Sequence, residues 1–290
     1  MKRILSLLLA LTLLISLAPA QTASAAVKLN KTKLTLNEGS SYSLKVTGIK
    51  GSITWSSDDK NVATVSSRGK VTAVSAGTAT ITAKVDSKSY ACDVIVKEAF
   101  NVKKAIENID AQLDDTGKGI VAVLENNYTF PMSVVATVVY YDASGNMIGK
   151  SSNDNYYFEK NRKCAFFFYG PTDSDYNNIP YDTYDINYTV EPVTRMKSSI
   201  ASIKTKANIG ADNVMVEVAN SGNQSPEYTK ISVVFYKDGN AIYSEYRYAE
   251  VKSPGSIDYL EFSFPHDDNY DTIRIDSYEV YVNESYSYTW

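Results

Sequence analysis

The stretch Ala76-Gly77-Thr78-Ala79-Thr80-Ile81-Thr82-Ala83 alternates small or branched apolar residues with threonines. Successive side chains of an extended strand point to opposite faces, so this alternation predicts a β-strand with one buried face. Threonine and isoleucine are β-branched and favour strands, which strengthens the prediction. The stretch therefore indicates a β fold for the sequence around it.

The alternation continues on both sides of this stretch, from Val27 to Val96, in short runs separated by turn residues. About seven short strands within some 70 residues fit a small immunoglobulin-like β-sandwich. We expect Trp55 to be the large aromatic residue of its core. We expect Gly69 and Gly77 to close hairpins, because glycine adopts strained backbone conformations at little steric cost.

Five strings in this region occur together in the order of a known bacterial family. They are Ile53-Thr54-Trp55-Ser56-Ser57-Asp58, Val62-Ala63-Thr64-Val65, Gly69-Lys70-Val71-Thr72-Ala73-Val74, Ala76 to Ala83 and Cys92-Asp93-Val94-Ile95-Val96. With these strings, residues 27–97 resemble the bacterial immunoglobulin-like group 2 (BIG2) domain. The family is common in bacterial surface and adhesin-like proteins, often as a spacer. The resemblance implies a β-sandwich that carries no catalytic residues.

The remainder of the chain contains an internal repeat with an offset of 94 or 95 residues. The matching pairs are Ile106 and Ile109 with Ile200 and Ile203, Leu124-Glu125-Asn126 with Val218-Ala219-Asn220, Val138 to Tyr141 with Val233 to Tyr236, and Pro171 with Pro265. The offset changes by one residue only where turns are expected, and turns tolerate insertions. The repeat predicts two homologous modules, residues 98–195 and 196–290.

Each module is predicted to consist of strands. The predicted strands are 120–124, 133–141, 156–158, 165–169 and 184–190 in the first module, and 214–218, 231–236, 243–251, 262–264 and 273–282 in the second. Asp238-Gly239 is typical of a primed two-residue hairpin turn. The segments 105–113 and 200–207 have an ambiguous composition. Strand is the preferred state for both, with helix as the alternative.

The hairpin string Val234-Phe235-Tyr236-Lys237-Asp238-Gly239, with Asn220 upstream, resembles the FxLYD-type sandwich module of bacterial exported proteins. Val139-Tyr140-Tyr141-Asp142, followed by Gly145, is similar to a weaker copy of the same string. The resemblance covers about half of each module. It implies a fibronectin-like sandwich and no activity.

The first 26 residues have the pattern of a secretory signal peptide. Lys2 and Arg3 precede an apolar run from Ile4 to Leu17, and small-residue sites follow at Ala18-Pro19-Ala20 and Ala23-Ser24-Ala25. The apolar run is shorter than the ~20 residues that a membrane-spanning helix needs. We therefore expect an exported, extracellular chain, secreted or associated with the cell surface, with no transmembrane segment after cleavage.

Composition excludes several classes of function. Removing residues 1–26 would leave 27 basic and 33 acidic residues, a net charge of −6. The basic residues are scattered among acids, which argues against a nucleic-acid partner. His266, Cys92 and Cys164 are the whole supply of histidine and cysteine, too few for most catalytic triads and zinc sites. We expect no enzymatic activity, no cofactor and no metal site.

Two further features have structural interpretations. Cys92 and Cys164 lie in different predicted domains, so two buried thiols are preferred to a disulfide. The loops at 173–177 and 267–271 are rich in Asp and Asn. Calcium prefers such oxygen ligands, but these residues also favour turns, and solvated turns are the preferred interpretation.

The chain has 23 tyrosines against 9 phenylalanines, and rows of them are the candidate ligand contacts. Tyr246 and Tyr248 alternate on one strand, and Tyr286, Tyr288 and Trp290 alternate at the C-terminus. Such rows stack on sugar rings or contact a protein partner. The alternative is cross-strand aromatic pairing that stabilises a sheet.

Together these features predict an all-β protein, with three tandem β-sandwich domains of the immunoglobulin-like or fibronectin-like type after the signal peptide. The preferred function is non-enzymatic: a secreted or cell-surface adhesion, interaction or spacer protein. Its expected partner is a cell-surface protein or a glycan, and the chain is expected to be a monomer. The alternative is a carbohydrate-binding protein that uses exposed tyrosine rows.

Overall fold

A computed structural model describes residues 26–49 and 51–289. The chain divides into two compact units, with the division between Ala99 and Phe100. Except for Ala26, the predicted signal peptide lies outside the described residues, and so does Trp290. Both units consist almost entirely of β-strands, which confirms the predicted all-β class.

In its described part, the N-terminal unit contains nine strands in two main sheets. The strands are β1 Lys28–Leu29, β2 Lys33–Asn37, β3 Ser41–Ser43, β4 Val46–Thr47, β5 Thr54–Ser57, β6 Ala63–Val65, β7 Lys70–Ala73, β8 Gly77–Val85 and β9 Lys88–Lys97. One sheet has the order β2-β9-β8-β5 and the other β3-β7-β6, while β1 pairs with β4. Strand β2 runs parallel to β9, and the other pairs are antiparallel.

The core of this unit follows the predicted alternation. Ala79, Ile81 and Ala83 of β8 are buried, and the threonines between them are more exposed. Trp55 packs against this core while remaining partly exposed. The predicted immunoglobulin-like sandwich is therefore confirmed.

Gly69 and Gly77 have different roles. Gly69, with φ +78°, lies in the turn that joins β6 to β7, as predicted. A Cβ there would lie 2.5 Å from the Leu44 carbonyl oxygen and 2.7 Å from Cζ2 of Trp55. The hairpin predicted at Gly77 is wrong, because β7 and β8 belong to different sheets. Gly77 instead begins β8 where a Cβ would meet Val62 at 2.8 Å.

The C-terminal unit contains two modules with the same strand order. The first has β10 Ile109–Asp115, β11 Gly119–Asn126, β12 Met132–Tyr141, β13 Met147–Phe158, β14 Lys163–Tyr169 and β15 Thr183–Pro192. The second has β16 Met196–Ser198, β17 Ile203–Ile209, β18 Asn213–Asn220, β19 Tyr228–Lys237, β20 Asn240–Tyr248, β21 Ile257–Ser263 and β22 Ser277–Tyr288. Sheets β10-β11-β14 and β13-β12-β15 correspond to β17-β18-β21 and β20-β19-β22, the latter extended by β16 next to β22.

A repeated asparagine makes the same hydrogen bonds in both modules. Asn126 donates from Nδ2 to the carbonyl oxygens of Phe130 and Phe158. Asn220 donates to those of Gln224 and Val251. In each case the side-chain oxygen accepts a bond from the main-chain N–H two residues later. The asparagine found by the repeat offset thus fixes the same loops in both modules.

The predicted turns differ between the modules. Asp238 and Gly239 have φ values of +52° and +81°, and Lys237 pairs with Asn240, which confirms the primed hairpin. The corresponding turn of the first module is longer. There, Asp142 accepts bonds at Oδ1 from the main-chain N–H groups of Ser144 and Asn146.

The strand preferred for 105–113 is wrong in its first part. Helix α1, Val102–Glu107, occupies it, and β10 begins at Ile109. Asn101 caps the helix by accepting a 3.0 Å bond from the Lys104 N–H, and such a cap stabilises a helix start. In the second module, a short 3-10 turn over Ile200–Ser202 stands in the corresponding position before β17.

The two modules stack through the outer faces of two sheets. Nearly every residue of β11 is buried, because alternate side chains face the core of the first module and the second module. The side chains packed in this interface are Val121, Val123, Ala165, Val234 and Ala241, with Phe167, Tyr236 and Tyr281 beside them. The contact is therefore between non-equivalent sheets of two similar modules.

A β-bulge in β22 directs polar groups into this interface. Lys230 pairs with Glu284 and Ile231 with Val282, so Asn283 is the extra residue. The corresponding pairing of β12 with β15 has no such shift. Asn283 bonds both main-chain groups of Ala165: Oδ1 accepts from its N–H at 3.1 Å and Nδ2 donates to its C=O at 3.0 Å. Asn283 thereby satisfies part of the open edge of β14, which otherwise pairs only with β11.

We predict that Gly69→Ala destabilises the N-terminal unit by about 2 kcal/mol or more, through left-handed backbone strain and overpacking against Trp55. Gly39→Ala is the matched control, since Gly39 has φ +76° but nothing within 4 Å of its Cβ position. It should cost about 1 kcal/mol. Urea denaturation followed by Trp55 fluorescence measures the unfolding free energy of both variants, in a Trp290→Phe background that leaves Trp55 as the single tryptophan. Equal losses of unfolding free energy in the two variants would contradict the packing argument.

We predict that Asn283→Ala lowers the free energy of unfolding of the C-terminal unit by about 1–3 kcal/mol, since it leaves the buried Ala165 N–H unpaired. The control is Asn187→Ala on the exposed face of β15, with an expected change below about 0.5 kcal/mol. Hydrogen exchange should show faster exchange of the Ala165 amide in Asn283→Ala alone. An unchanged rate would show that this bond does not hold the interface.

Candidate functional site

A tyrosine-lined pocket opens where the two modules meet. Its lining residues are Tyr156, Tyr228, Tyr248, Glu284, Tyr286 and Tyr288, and we call it the tyrosine pocket. Tyr156 comes from β13 of the first module and the others from β19, β20 and β22 of the second. Its volume is about 310 Å³, at the small end of the range for ligand pockets. The pocket is therefore large enough for a small molecule or one side chain.

Strand register explains why these side chains converge. Lys230 pairs with Tyr248 on one side and with Glu284 on the other. Two residues before Lys230 on β19, Tyr228 pairs with Tyr286. Residues two apart point to the same face, so Tyr228, Lys230 and their partners share the face that carries the pocket.

The rings of the pocket stand at steep angles to one another. Tyr286 makes an angle of 81° with Tyr288, at a centroid distance of 5.8 Å, and 42° with Tyr228 at the same distance. Tyr286 is 3% exposed, whereas Tyr156, Tyr228, Tyr248 and Tyr288 are each between 43% and 50% exposed. The rings therefore form the walls of a pocket around a buried tyrosine.

Glu284 is the buried carboxylate of the pocket, 1% exposed. Its Oε2 accepts hydrogen bonds from the main-chain N–H groups of Tyr156 at 2.6 Å and Tyr157 at 3.3 Å. Burial raises the pKa of Glu284, while the Lys230 ammonium and these N–H bonds oppose the rise. A residue of the second module thus fixes the backbone of the first.

Lys230 is an equally buried cation, 2% exposed. Its Nζ donates to the Asp154 carbonyl oxygen at 3.1 Å and lies 4.5 Å from the centroid of the Tyr246 ring. The Tyr248 centroid is 6.0 Å away. Aromatic ring faces attract cations, so the rings beside the pocket already hold one ammonium group.

The hydroxyls of Tyr156, Tyr248 and Tyr286 remain protonated donors near neutral pH, because the pKa of each is raised. Burial raises the pKa of Tyr248 to about 12 and also raises that of Tyr286. The pKa of Tyr156 is raised chiefly by a hydrogen bond to Asp154. These three neutral phenols therefore line the pocket together with the Glu284 side chain.

Three of the five tyrosine-row residues predicted from the sequence line this pocket: Tyr248, Tyr286 and Tyr288. Tyr246 lies beside it, over Lys230, and Trp290 is outside the described residues. Their role as ligand contacts stays a prediction. The alternative of cross-strand aromatic pairing is also present, since Tyr228 of β19 and Tyr286 of β22 are paired and their ring centroids lie 5.8 Å apart.

Sequence reasoning missed four residues: Tyr156, Tyr228, Lys230 and Glu284. Glu284 alternates with Tyr286 and Tyr288, so the same period-two pattern that identified the row also includes the acid. Tyr228 and Lys230 show the same period-two spacing on β19. Tyr156 carries none, because only the stacking of the modules brings it to the pocket.

The cysteines and acidic loops have local structural roles. Cys92 and Cys164 are free and fully buried, in different units. Asp173 accepts bonds at Oδ1 from the N–H groups of Asp175 and Asn177, and Asp267 makes the same pattern 94 residues later. These bonds match the turn interpretation of both loops.

His266 lines a second, larger groove between the modules, with a volume of about 1080 Å³. Several of its charges are already paired: Lys118 contacts Asp268, and Arg247 contacts Glu245 at 2.7 Å. Within residues 26–49 and 51–289, no group of three or more His, Cys, Asp or Glu side chains is placed to hold a metal ion. No helix in that part of the chain is long and apolar enough to cross a membrane.

The comparison with protein families identifies the N-terminal region. Residues 23–94 match the model of the bacterial Ig-like domain, group 2, which bears out the resemblance to BIG2. The match covers the N-terminal unit and does not extend into the two C-terminal modules. No curated protein matches the chain.

Among solved structures, the chain is similar to parts of a surface layer protein, SbsC. Against its domains 1–6 the identity is 16% and the TM-score 0.23, over 67% of this chain and 22% of that one. Against its domains 5–6 the values are 15% and 0.22, over 82% of this chain and 95% of that one. TM-scores of this size give no basis for a shared arrangement or activity.

The raised pKa of Glu284 predicts a pH-dependent stability. A carboxyl group whose pKa is raised on folding stabilises the fold below its ordinary value of 4.5, and this contribution is lost as pH rises through the folded pKa. The charged groups facing it are Lys230 and Asp154, with Tyr156, Tyr248 and Tyr286 around them.

The test compares the wild type with Glu284→Gln by urea denaturation from about pH 4 to about pH 8, a range that begins below the ordinary glutamate pKa. The wild type should lose unfolding free energy relative to Glu284→Gln as the pH rises. A difference that moves the other way would show that the Lys230 ammonium outweighs burial.

Proposed function

We propose that this chain is a non-enzymatic, exported interaction protein, secreted or held at the cell surface. Its BIG2-type unit serves as a spacer, and its C-terminal unit binds a ligand in the tyrosine pocket. The family match at residues 23–94 supports the first part, since BIG2 domains are common in bacterial surface proteins. The pattern of residues 1–26 supports export.

One observation carries the binding role: a buried carboxylate and five tyrosines from both modules line one open pocket. Four of those tyrosines keep nearly half of their surface exposed. Tyrosine supplies apolar contact area and a hydroxyl group with little loss of side-chain freedom, which suits it to recognition. The apolar cluster around Val121, Ala165 and Val234, by contrast, is packed between the modules.

Glycan binding is the alternative, and the ring angles bear on it. A sugar ring stacks on a flat aromatic face, and a row of parallel rings makes an extended platform for it. Tyr246 and Tyr248 instead stand at 80° to each other, and Tyr286 and Tyr288 at 81°. The geometry therefore favours a compact group enclosed by the rings over an extended sugar chain.

The test is a ligand screen on the full chain, with thermal stabilisation as the readout. The panel contains cell-wall glycans, peptides with charged ends and small organic cations. At least one class should stabilise the wild type, and Tyr248→Ala should reduce its affinity about tenfold, as expected for losing one main contact of a small ligand.

Tyr259→Ala is the matched control, since Tyr259 is 63% exposed on β21, in the other sheet of the second module. It should bind as the wild type does. If every ligand found binds Tyr248→Ala and the wild type equally, the pocket is not the binding site.

A further inference from the structure

We infer that the tyrosine pocket binds an organic cation, with a methylated or quaternary ammonium group as its ligand class. The inference rests on the proposed function, because it names the ligand of the same pocket. It depends on three features: the arrangement of the rings, the buried carboxyl group of Glu284 and the ammonium group already held beside the pocket.

The rings form a cage suited to a rounded cation. The face of each aromatic ring carries negative potential, and a cation gains most when several faces surround it. Tyr286 stands at 42° to Tyr228 and at 81° to Tyr288, so the rings that line the pocket do not share one plane. Tyr156 and Tyr248 complete the lining. A flat or strongly hydrated ligand does not match this shape.

The carboxylate of Glu284 supplies the opposite charge. Among the described residues, none of the ion pairs within 4.0 Å includes Glu284. Its bonds go to two main-chain N–H groups, which orient the carboxylate without neutralising it. A cation in the pocket therefore meets a desolvated negative charge, where electrostatic attraction is stronger than in water.

Lys230 shows that these surroundings accommodate an ammonium group. Its Nζ lies over Tyr246 and donates to the Asp154 carbonyl oxygen, and Lys230 is not among the residues that line the pocket. Glu284 interacts electrostatically with this ammonium group and with the Asp154 carboxylate, so two acidic groups stand against one basic group. The balance of charge near the pocket is thus negative and excludes an anionic ligand.

A weakly hydrated cation fits better than a primary amine. The pocket walls offer ring faces beside five hydroxyl groups and one carboxyl group, and a primary ammonium would need several of these oxygens placed around it to replace its bonds to water. Methyl groups on nitrogen spread the charge and add apolar contact with the rings. Quaternary ammonium groups are recognised by aromatic cages for this reason.

The test measures binding to the full chain by calorimetry with two probes of equal shape. Choline carries a quaternary nitrogen, and 3,3-dimethylbutan-1-ol replaces that nitrogen by carbon. We expect choline to bind at least about tenfold more tightly, as for a desolvated cation over ring faces. Equal affinities, or no choline binding, would overturn the inference.

Variants separate the contributions. Glu284→Gln should reduce the ratio of choline affinity to isostere affinity towards one. Tyr248→Ala should weaken choline binding about tenfold, whereas Tyr248→Phe should keep the wild-type affinity because the ring remains. Tyr259→Ala is the control. Tyr248 is 49% exposed, so its variants keep the test available if Glu284→Gln fails to fold.

The outcomes distinguish this inference from the proposed function. If the neutral isostere or a glycan binds and Tyr248→Ala abolishes that binding, the pocket is a binding site but the cation inference fails. If no ligand of the panel depends on Tyr248, both fail. If choline binds equally to Tyr248→Ala and the wild type, it binds elsewhere and the inference is overturned.

Discussion

The hydrogen bonds between Asn283 and the main chain of Ala165 are the constraint on which the rest of the C-terminal unit depends. They join the open edge of β14 in the first module to β22 in the second. A polar contact of this kind is favourable only when both partners are satisfied, so it fixes the relative position of the modules where apolar packing alone tolerates sliding. The β-bulge at Asn283 makes the contact possible, and the next residue, Glu284, is thereby aimed at the backbone of Tyr156.

Much of the fold is predictable from the sequence because alternation along a strand distinguishes its two faces. Most strands of both modules and the primed turn at Asp238-Gly239 follow from local chemistry, although β22 begins at Ser277 and not at the predicted residue 273. Strand is the preferred state for 105–113 over the helix alternative because the composition is ambiguous there, and helix α1 depends on a single cap at Asn101. The stacking of the modules had only an indirect signal, the uninterrupted apolar run of β11, which is equally typical of other buried strands.

The candidate site was predictable only in part, because the alternation within one strand does not indicate which residues of another module it meets. Tyr248, Tyr286 and Tyr288 belong to rows that alternate within single strands, and Glu284 belongs to the second of these rows. Tyr156 enters the pocket from another module, more than 70 residues away from its nearest partner along the chain. No local pattern predicts such a contact. The bulge is likewise a property of pairing between strands.

Next to the Asn283 contact, Glu284 of the second module accepts hydrogen bonds from the amides of Tyr156 and Tyr157 in the first. Nuclear magnetic resonance of the full chain measures it directly, through the shifts of these two amide protons as the pH is raised. Both shifts should follow one titration with a midpoint above 4.5, and Glu284→Gln should abolish it. Amide shifts that do not change with pH would show that Glu284 does not bind these two amides.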